Sequence, residues 1–383
     1  MKKFDIIING GGLVGASAAL SLAQRGFKVA LIESRLLSGT KMPQSGWDER
    51  IFAISPINRR FLQTLKSWPS NRRICPVTAM QIRGDKGGSL DFSAKDEKIE
   101  ALAWIVEQRN LLDLLWKNLS QSSVVLFTKT KPLTYSIEQE EVLLTLENNK
   151  ILWAKLLIGA DGASSWVREK SALPYQVNSY QQSAIVANFS CEKPHQGIAR
   201  QWFYGNTTLA CLPLPGKRFS MVWSTSFPQT ILQLNRKALA QSVSEAIGNT
   251  LGKLTNLNDA KAFPLHAIKL VSTATDRVIL VGDAAHLIHP LAGQGVNLGF
   301  RDVQKLTKML ANAIDPGDFA TLRQFSTNRL IPVKMMHYTC DGLFYLFNTQ
   351  HLSALKPLGN MALSLINHAP FLRHQLIRLA THF

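Results

Sequence analysis

The most constraining feature lies at the start of the chain. Phe4 to Asn9 reads as a short strand, Gly10-Gly11-Gly12-Leu13-Val14-Gly15 follows, and a helix-like run extends from Ala16 to Gln24. Gly26 closes that run, and Lys28-Val29-Ala30-Leu31-Ile32-Glu33 reads as a second strand. Strand, G-x-G-x-x-G, helix and a strand ending in an acid are the parts of a mononucleotide-binding unit. Gly10 permits the tight turn, Gly12 lets the backbone approach a pyrophosphate, and Gly15 lets helix and strand pack closely. The helix N-terminus offers free N–H groups and a partial positive charge. Glu33 suits the two hydroxyls of a ribose and opposes a 2′-phosphate by like-charge repulsion. The unit serves any adenosine diphosphate group, so by itself it leaves flavin and nicotinamide dinucleotides open.

Two later segments narrow the choice. Glu141 to Lys155 alternates around Asn148-Asn149, which predicts a hairpin. It leads into Leu156-Leu157-Ile158-Gly159-Ala160-Asp161-Gly162, an apolar strand ending in an Asp-Gly turn. Asp161 there also fits a plain helix cap. Farther on, Arg277-Val278-Ile279-Leu280-Val281-Gly282-Asp283 is another apolar strand ending in Gly-Asp. His289-Pro290-Leu291-Ala292-Gly293-Gln294-Gly295-Val296-Asn297 then enters a helix with a stripe at Val296, Phe300, Val303, Leu306 and Leu310. Glycines at its start expose N–H groups suited to the negative charge of a reduced flavin ring. Asp283, at the carboxyl end of a strand, suits a polyol hydroxyl.

With these three motifs in this order, the chain resembles the class A flavoprotein monooxygenases, the p-hydroxybenzoate hydroxylase-like family. Asp48-Glu49-Arg50-Ile51-Phe52-Ala53-Ile54-Ser55 and Trp104-Ile105-Val106-Glu107-Gln108-Arg109 resemble its ubiquinone-biosynthesis ring hydroxylases. The resemblance covers most of residues 4–320 and is weakest at 175–265. It implies FAD as cofactor, with Gly10, Gly12, Leu13, Val14, Gly15 and Glu33 at the ADP half. It implies Arg50 and Arg109 along the pyrophosphate and ribityl stretch, although each also reads as an ordinary surface or ion-pair arginine. Asp161 would serve FAD and NAD(P)H, Asp283 the ribityl chain, and Pro290, Gly295, Val296 and Asn297 the isoalloxazine. Asn9 departs from the small or apolar residue usual at that strand end. NAD(P)H and O₂ would be co-substrates, and a polyprenylated phenol the ring hydroxylated. No proton-transfer residue is assigned, since His266, His286 and His289 read first as packing residues.

The expected fold is α/β. A Rossmann-like FAD-binding domain of the glutathione-reductase type takes residues 1–75, 101–175 and 271–320. An interleaved antiparallel-sheet substrate domain takes 76–100 and 176–270, with strands throughout 176–232, and a C-terminal helical region takes 321–383. Apolar residues at 46% support a sizeable core. The four cysteines are dispersed, which argues against a zinc site and a disulfide framework and for a reducing cytoplasm. The net charge of +17 attracts polyanions, but no nucleic-acid motif accompanies it. From Ile331 the chain turns apolar and aromatic, and Leu372, Leu376 and Leu379 share a helical face near the end. That tail reads either as a helix docked on the core or as a peripheral contact with the inner membrane or a ubiquinone-biosynthesis complex. Two other functions fit parts of the pattern: an NAD-dependent dehydrogenase, and a non-catalytic flavoprotein scaffold.

Overall fold

The computed structural model describes residues 2–35, 46–70, 73–289, 293–348, 356–369, 371, 373–375 and 377. Its first sheet is built around the strand Lys2–Asn9, which pairs in parallel with Val29–Glu33 on one side and Ile151–Gly159 on the other. Val278–Leu280 and Val125–Thr128 extend the sheet outward, also in parallel. The run Ile6-Ile7-Ile8 is apolar without alternation because both faces of this sheet are covered. Ile6 and Ile8 join one core cluster with the helices Leu13–Ala23, Gln108–Ser120 and Gly295–Leu310, while Ile7 joins a second cluster on the opposite face. All three are fully buried, each worth about 1.5–3 kcal/mol. The hairpin at Asn148-Asn149 is present between Glu141–Leu146 and Ile151–Gly159, with Asn149 at φ +59°.

The second sheet is mostly antiparallel. The strands Ile198–Tyr204, Thr207–Leu214 and Arg218–Thr225 form a meander, and the long strand Tyr175–Cys191 pairs with the last of them. Ala79–Arg83 joins the other edge in parallel and carries Ser89–Ser93. A small third sheet, Ile51–Ile54, Ala103–Glu107 and Cys75–Val77, lies between the two large ones in the chain. The expectation of strands throughout 176–232 fails at its end: Pro228–Leu232 is helical and Arg236–Ala246 follows as a second helix. Pro228 pre-sets the φ of the first helical turn, and Asn235 caps the next by accepting the Ala238 N–H at 2.9 Å.

The change of composition at Ile331 does not mark an element, because one helix runs unbroken over Phe319–Asn348. Its apolar residues divide by face. Phe347 stacks on Phe203 of the second sheet at 4.2 Å, and Phe344 packs on Tyr180 at 4.8 Å. Ile331, Met335, Tyr338 and Tyr345 are exposed. The helix Lys356–His368 lies on the edge strand Ser89–Ser93, where Asn360 accepts the Gly88 N–H and Asn367 accepts the Asp91 N–H, each at 3.0 Å. The described part of the tail is therefore docked on the core, while Leu372, Leu376 and Leu379 lie outside the described residues.

Candidate active site

A cleft of about 910 Å³ separates the parallel sheet from the second sheet. Such a volume lies toward the upper end of the range of cofactor and ligand pockets, roughly 300–1,000 Å³. At one end is the glycine turn. Gly10 sits at φ +106°, and a Cβ there would lie 2.4 Å from the Ala160 carbonyl oxygen. A Cβ at Gly15 would lie 1.9 Å from the Gly10 oxygen, so this glycine is demanded by helix–strand packing. Gly12 has nothing within 4 Å of its would-be Cβ, which leaves its backbone open to a ligand on the cleft side. The helix beginning at Leu13, three residues earlier than the sequence suggests, has neither a side-chain cap nor an acid in its first turn. Its positive end is left for an anion. Glu33 is fixed by the Gly11 N–H at 2.7 Å and the Arg35 N–H at 2.9 Å. Trp116 braces the turn by donating to the Gly11 oxygen at 2.9 Å.

The middle of the cleft carries two aspartates in different states. Asp161 lines the wall, but much of its carboxylate is already engaged. It accepts from the Ser165 hydroxyl, from the Val167 N–H at 3.2 Å and from the Asn9 amide at 2.9 Å. Burial pushes its carboxyl up, and these hydrogen bonds oppose that. The unusual Asn9 therefore has a task, which is to orient Asp161. Asp283 also lines the wall, half-buried, and makes no hydrogen bond among the described residues. Burial pushes its carboxyl up as well, against the opposing pull of His286 and Arg50.

Beyond Asp283, Gly293, Gln294, Gly295 and Val296 line the cleft where the helix Gly295–Leu310 begins. This helix too has no side-chain cap and no acid in its first turn. It is held by Asp302, which is 1% exposed. Asp302 accepts the Gly282 N–H at 2.9 Å, pairs with His286 Nε2 at 2.6 Å and accepts from Arg329 Nε at 2.6 Å. Burial alone would raise its carboxyl, but His286, Arg329 and these hydrogen bonds outweigh it and hold it down at about 2. Asn297 braces the same helix: its side chain accepts from the Ser55 N–H and the Asn58 amide, and donates to the Ala53 oxygen at 2.8 Å.

Of the residues singled out in the sequence, Gly10, Gly12, Leu13, Val14, Glu33, Arg50, Asp161, Asp283, Gly295 and Val296 meet on this one cleft. Gly15, Arg109 and Asn297 are not on its wall, and Pro290 lies outside the described residues. The Arg109 backbone N–H donates to Asp48 at 2.9 Å, while the adjacent Gln108 lines the cleft. His286 and His289 are off the wall too. His289 packs edge-on against Tyr180 at 4.6 Å, and burial holds its imidazole down at about 4. The sequence reading missed Trp116, Asp302 and the sheet residues Gln201, Thr208 and Ser224. Only strand alternation hinted at the last three.

Glycine cradle, uncapped helix ends and a deep cleft between two sheets define a dinucleotide-binding protein. The chain matches the FAD binding domain family over residues 3–337 and belongs to it, with FAD as cofactor. It is 33% identical to the 3-demethoxyubiquinol 3-hydroxylase of Escherichia coli strain K12, covering 98% of each chain. It is 31% identical to a Danio rerio protein named ubiquinone biosynthesis monooxygenase COQ6, mitochondrial, covering 99% of this chain and 90% of that one. Among solved structures, p-nitrophenol 4-monooxygenase PnpA from Pseudomonas putida DLL-E4 superposes with a TM-score of 0.79 at 17% identity, covering 100% of this chain and 99% of that one. That likeness is one of fold.

Proposed function

We propose that this protein is an FAD-dependent monooxygenase that hydroxylates the aromatic ring of a polyprenylated phenol or quinol in ubiquinone biosynthesis, with NAD(P)H and O₂ as co-substrates. The observation that carries this is the end-to-end likeness to a 3-demethoxyubiquinol 3-hydroxylase, 98% of each chain. Bound FAD supplies the redox chemistry and the activation of oxygen. The chain's own residues bind, orient and exclude water. Gly10, Gly12, Leu13, Val14 and Gly15 form the turn that holds the pyrophosphate against the helix end. Glu33 holds the adenosine ribose, with Arg50 on the pyrophosphate–ribityl side. Asp161 and Asp283 accept hydrogen bonds from the middle of the cofactor. Gly295 and Val296 shape the ring end, braced by Asn297, where the uncapped helix favours negative charge. The wall opposite is largely apolar, with Met80, Phe92, Leu212 and Val222, and Ile377 of the tail closes part of the same cleft. That suits a hydrophobic ring with a prenyl tail.

We also propose that the protein works at the surface of an anionic membrane, where such a substrate resides. Ile331, Met335, Tyr338 and Tyr345 fall at i, i+4, i+7 and i+14 on one helix and share an exposed face. The +17 charge draws the chain to an anionic surface. No helix of the described residues is long and apolar enough to cross a membrane. The functional reading is tested by purification and by profiling quinone intermediates in a deletion strain. The protein should be yellow, with roughly one FAD per chain, and the strain should accumulate a polyprenylated precursor one hydroxyl short. A colourless protein that FAD does not reconstitute would point to the dehydrogenase. Bound FAD with an unchanged quinone profile would point to the scaffold.

A further inference from the structure

The cleft wall opposite the flavin-side helices is a face of the second sheet, and its register decides which side chains it shows. Gln201 stands opposite Ala210 and Phe203 opposite Thr208. Thr208 stands opposite Ser224 and Ala210 opposite Val222. Because side chains alternate along a strand, Gln201, Thr208 and Ser224 share one face, and all three line the cleft.

They are 5%, 4% and 4% exposed. The Thr208 hydroxyl has no hydrogen-bond partner among the described residues. Neither the Gln201 amide nor the Ser224 hydroxyl makes a hydrogen bond among the described residues. A buried polar group left unsatisfied costs about 1–3 kcal/mol, and such groups are rare in native proteins. Three of them together on the wall of a cavity are therefore groups awaiting a ligand.

Their chemistry limits that ligand. An amide and a hydroxyl each donate and accept, so they match an oxygen that does both, as in a phenol O–H. None of the three is charged. Arg200 also lines the cleft, and one nitrogen of its guanidinium donates to the His195 and Ile198 oxygens. Resting on the functional reading above, we infer that Gln201 is a specificity-determining residue that hydrogen-bonds an uncharged ring oxygen of the substrate, with Thr208 and Ser224 completing an uncharged polar spot for a phenol.

The test is to titrate FAD-loaded protein with 4-pentylphenol and pentylbenzene, following the flavin absorbance. Wild type should bind the phenol more tightly. Gln201→Leu should weaken phenol binding roughly tenfold, the value of one neutral hydrogen bond, and leave pentylbenzene binding unchanged. Gln201→Met offers the same readout if the leucine variant folds poorly. Equal losses for phenol and pentylbenzene, or no loss for phenol, would each overturn the inference. Phenol binding that ignores Gln201 sinks this inference alone. If wild type binds none of the probes, the inference and the functional reading fall together.

Discussion

Asp283 is a carboxyl group with no hydrogen-bond donor among the described residues. Burial pushes its pKa up, so above about pH 4, the unfolded value, the native state holds more protons than the unfolded one. Stability from this group therefore declines as pH rises from about 4 through the raised native value. A polyol hydroxyl would relieve that penalty. Asp283→Ala should lower FAD retention roughly 10- to 100-fold, the value of a hydrogen bond to a charged group. The melting temperature of the apoprotein should stay level or rise. Flavin-to-protein absorbance ratios and calorimetry check this, and equal FAD content in both proteins would refute it. Residues of this kind were legible in the sequence because backbone geometry dictates them: Gly10 must take a positive φ, and Glu33 must end its strand. Gln201 was not legible. Alternation groups it with Thr208 through the register, but nothing local says which face of that sheet looks onto the cleft.

Among the elements, the helix Gly295–Leu310 is the one whose placement matters most. Its apolar stripe was plain in the sequence, and Val296, Phe300, Val303, Leu306 and Leu310 are all buried. What fixes it against its neighbours was hidden. Asp302 ties it to the Gly282 backbone and to Arg329 on the long helix, a pairing across 27 residues that no periodicity announces. Arg329→Leu leaves the buried Asp302 short of a partner and should cost about 3–5 kcal/mol, measurable by urea unfolding. The sign of the pH effect follows from the depressed pKa of Asp302. Its contribution is complete above about pH 4 and is lost as pH falls through about 2. Without Arg329 the native pKa rises, so acid unfolding should move to higher pH. An unchanged acid midpoint would show that Arg329 does little for the carboxylate.

At the scale of the molecule, the C-terminal third is both core and surface. Phe344 and Phe347 pack inward, so truncation at residue 330 would expose the second sheet, and point changes on the outer face are the cleaner probe. Tyr338→Glu with Tyr345→Glu should reduce co-sedimentation with phosphatidylglycerol vesicles severalfold while FAD content holds. Attraction worth about 1 kcal/mol per basic residue should fade with added salt. Binding that ignores both the charges and the salt would mean that this face is simply solvated. The order of strands has a consequence for synthesis as well. Lys2–Asn9 lies between Val29–Glu33 and Ile151–Gly159, and Val278–Leu280 joins only beyond the latter. The ribosome therefore delivers the centre of this sheet first and its far edge much later. At about 5–20 residues per second, Lys2–Asn9 waits roughly 8–30 s for Ile151–Gly159. Throughout that wait the strand lacks one of its two neighbours, and the cleft wall at Asp283 is not in place until the still later Val278–Leu280 has joined.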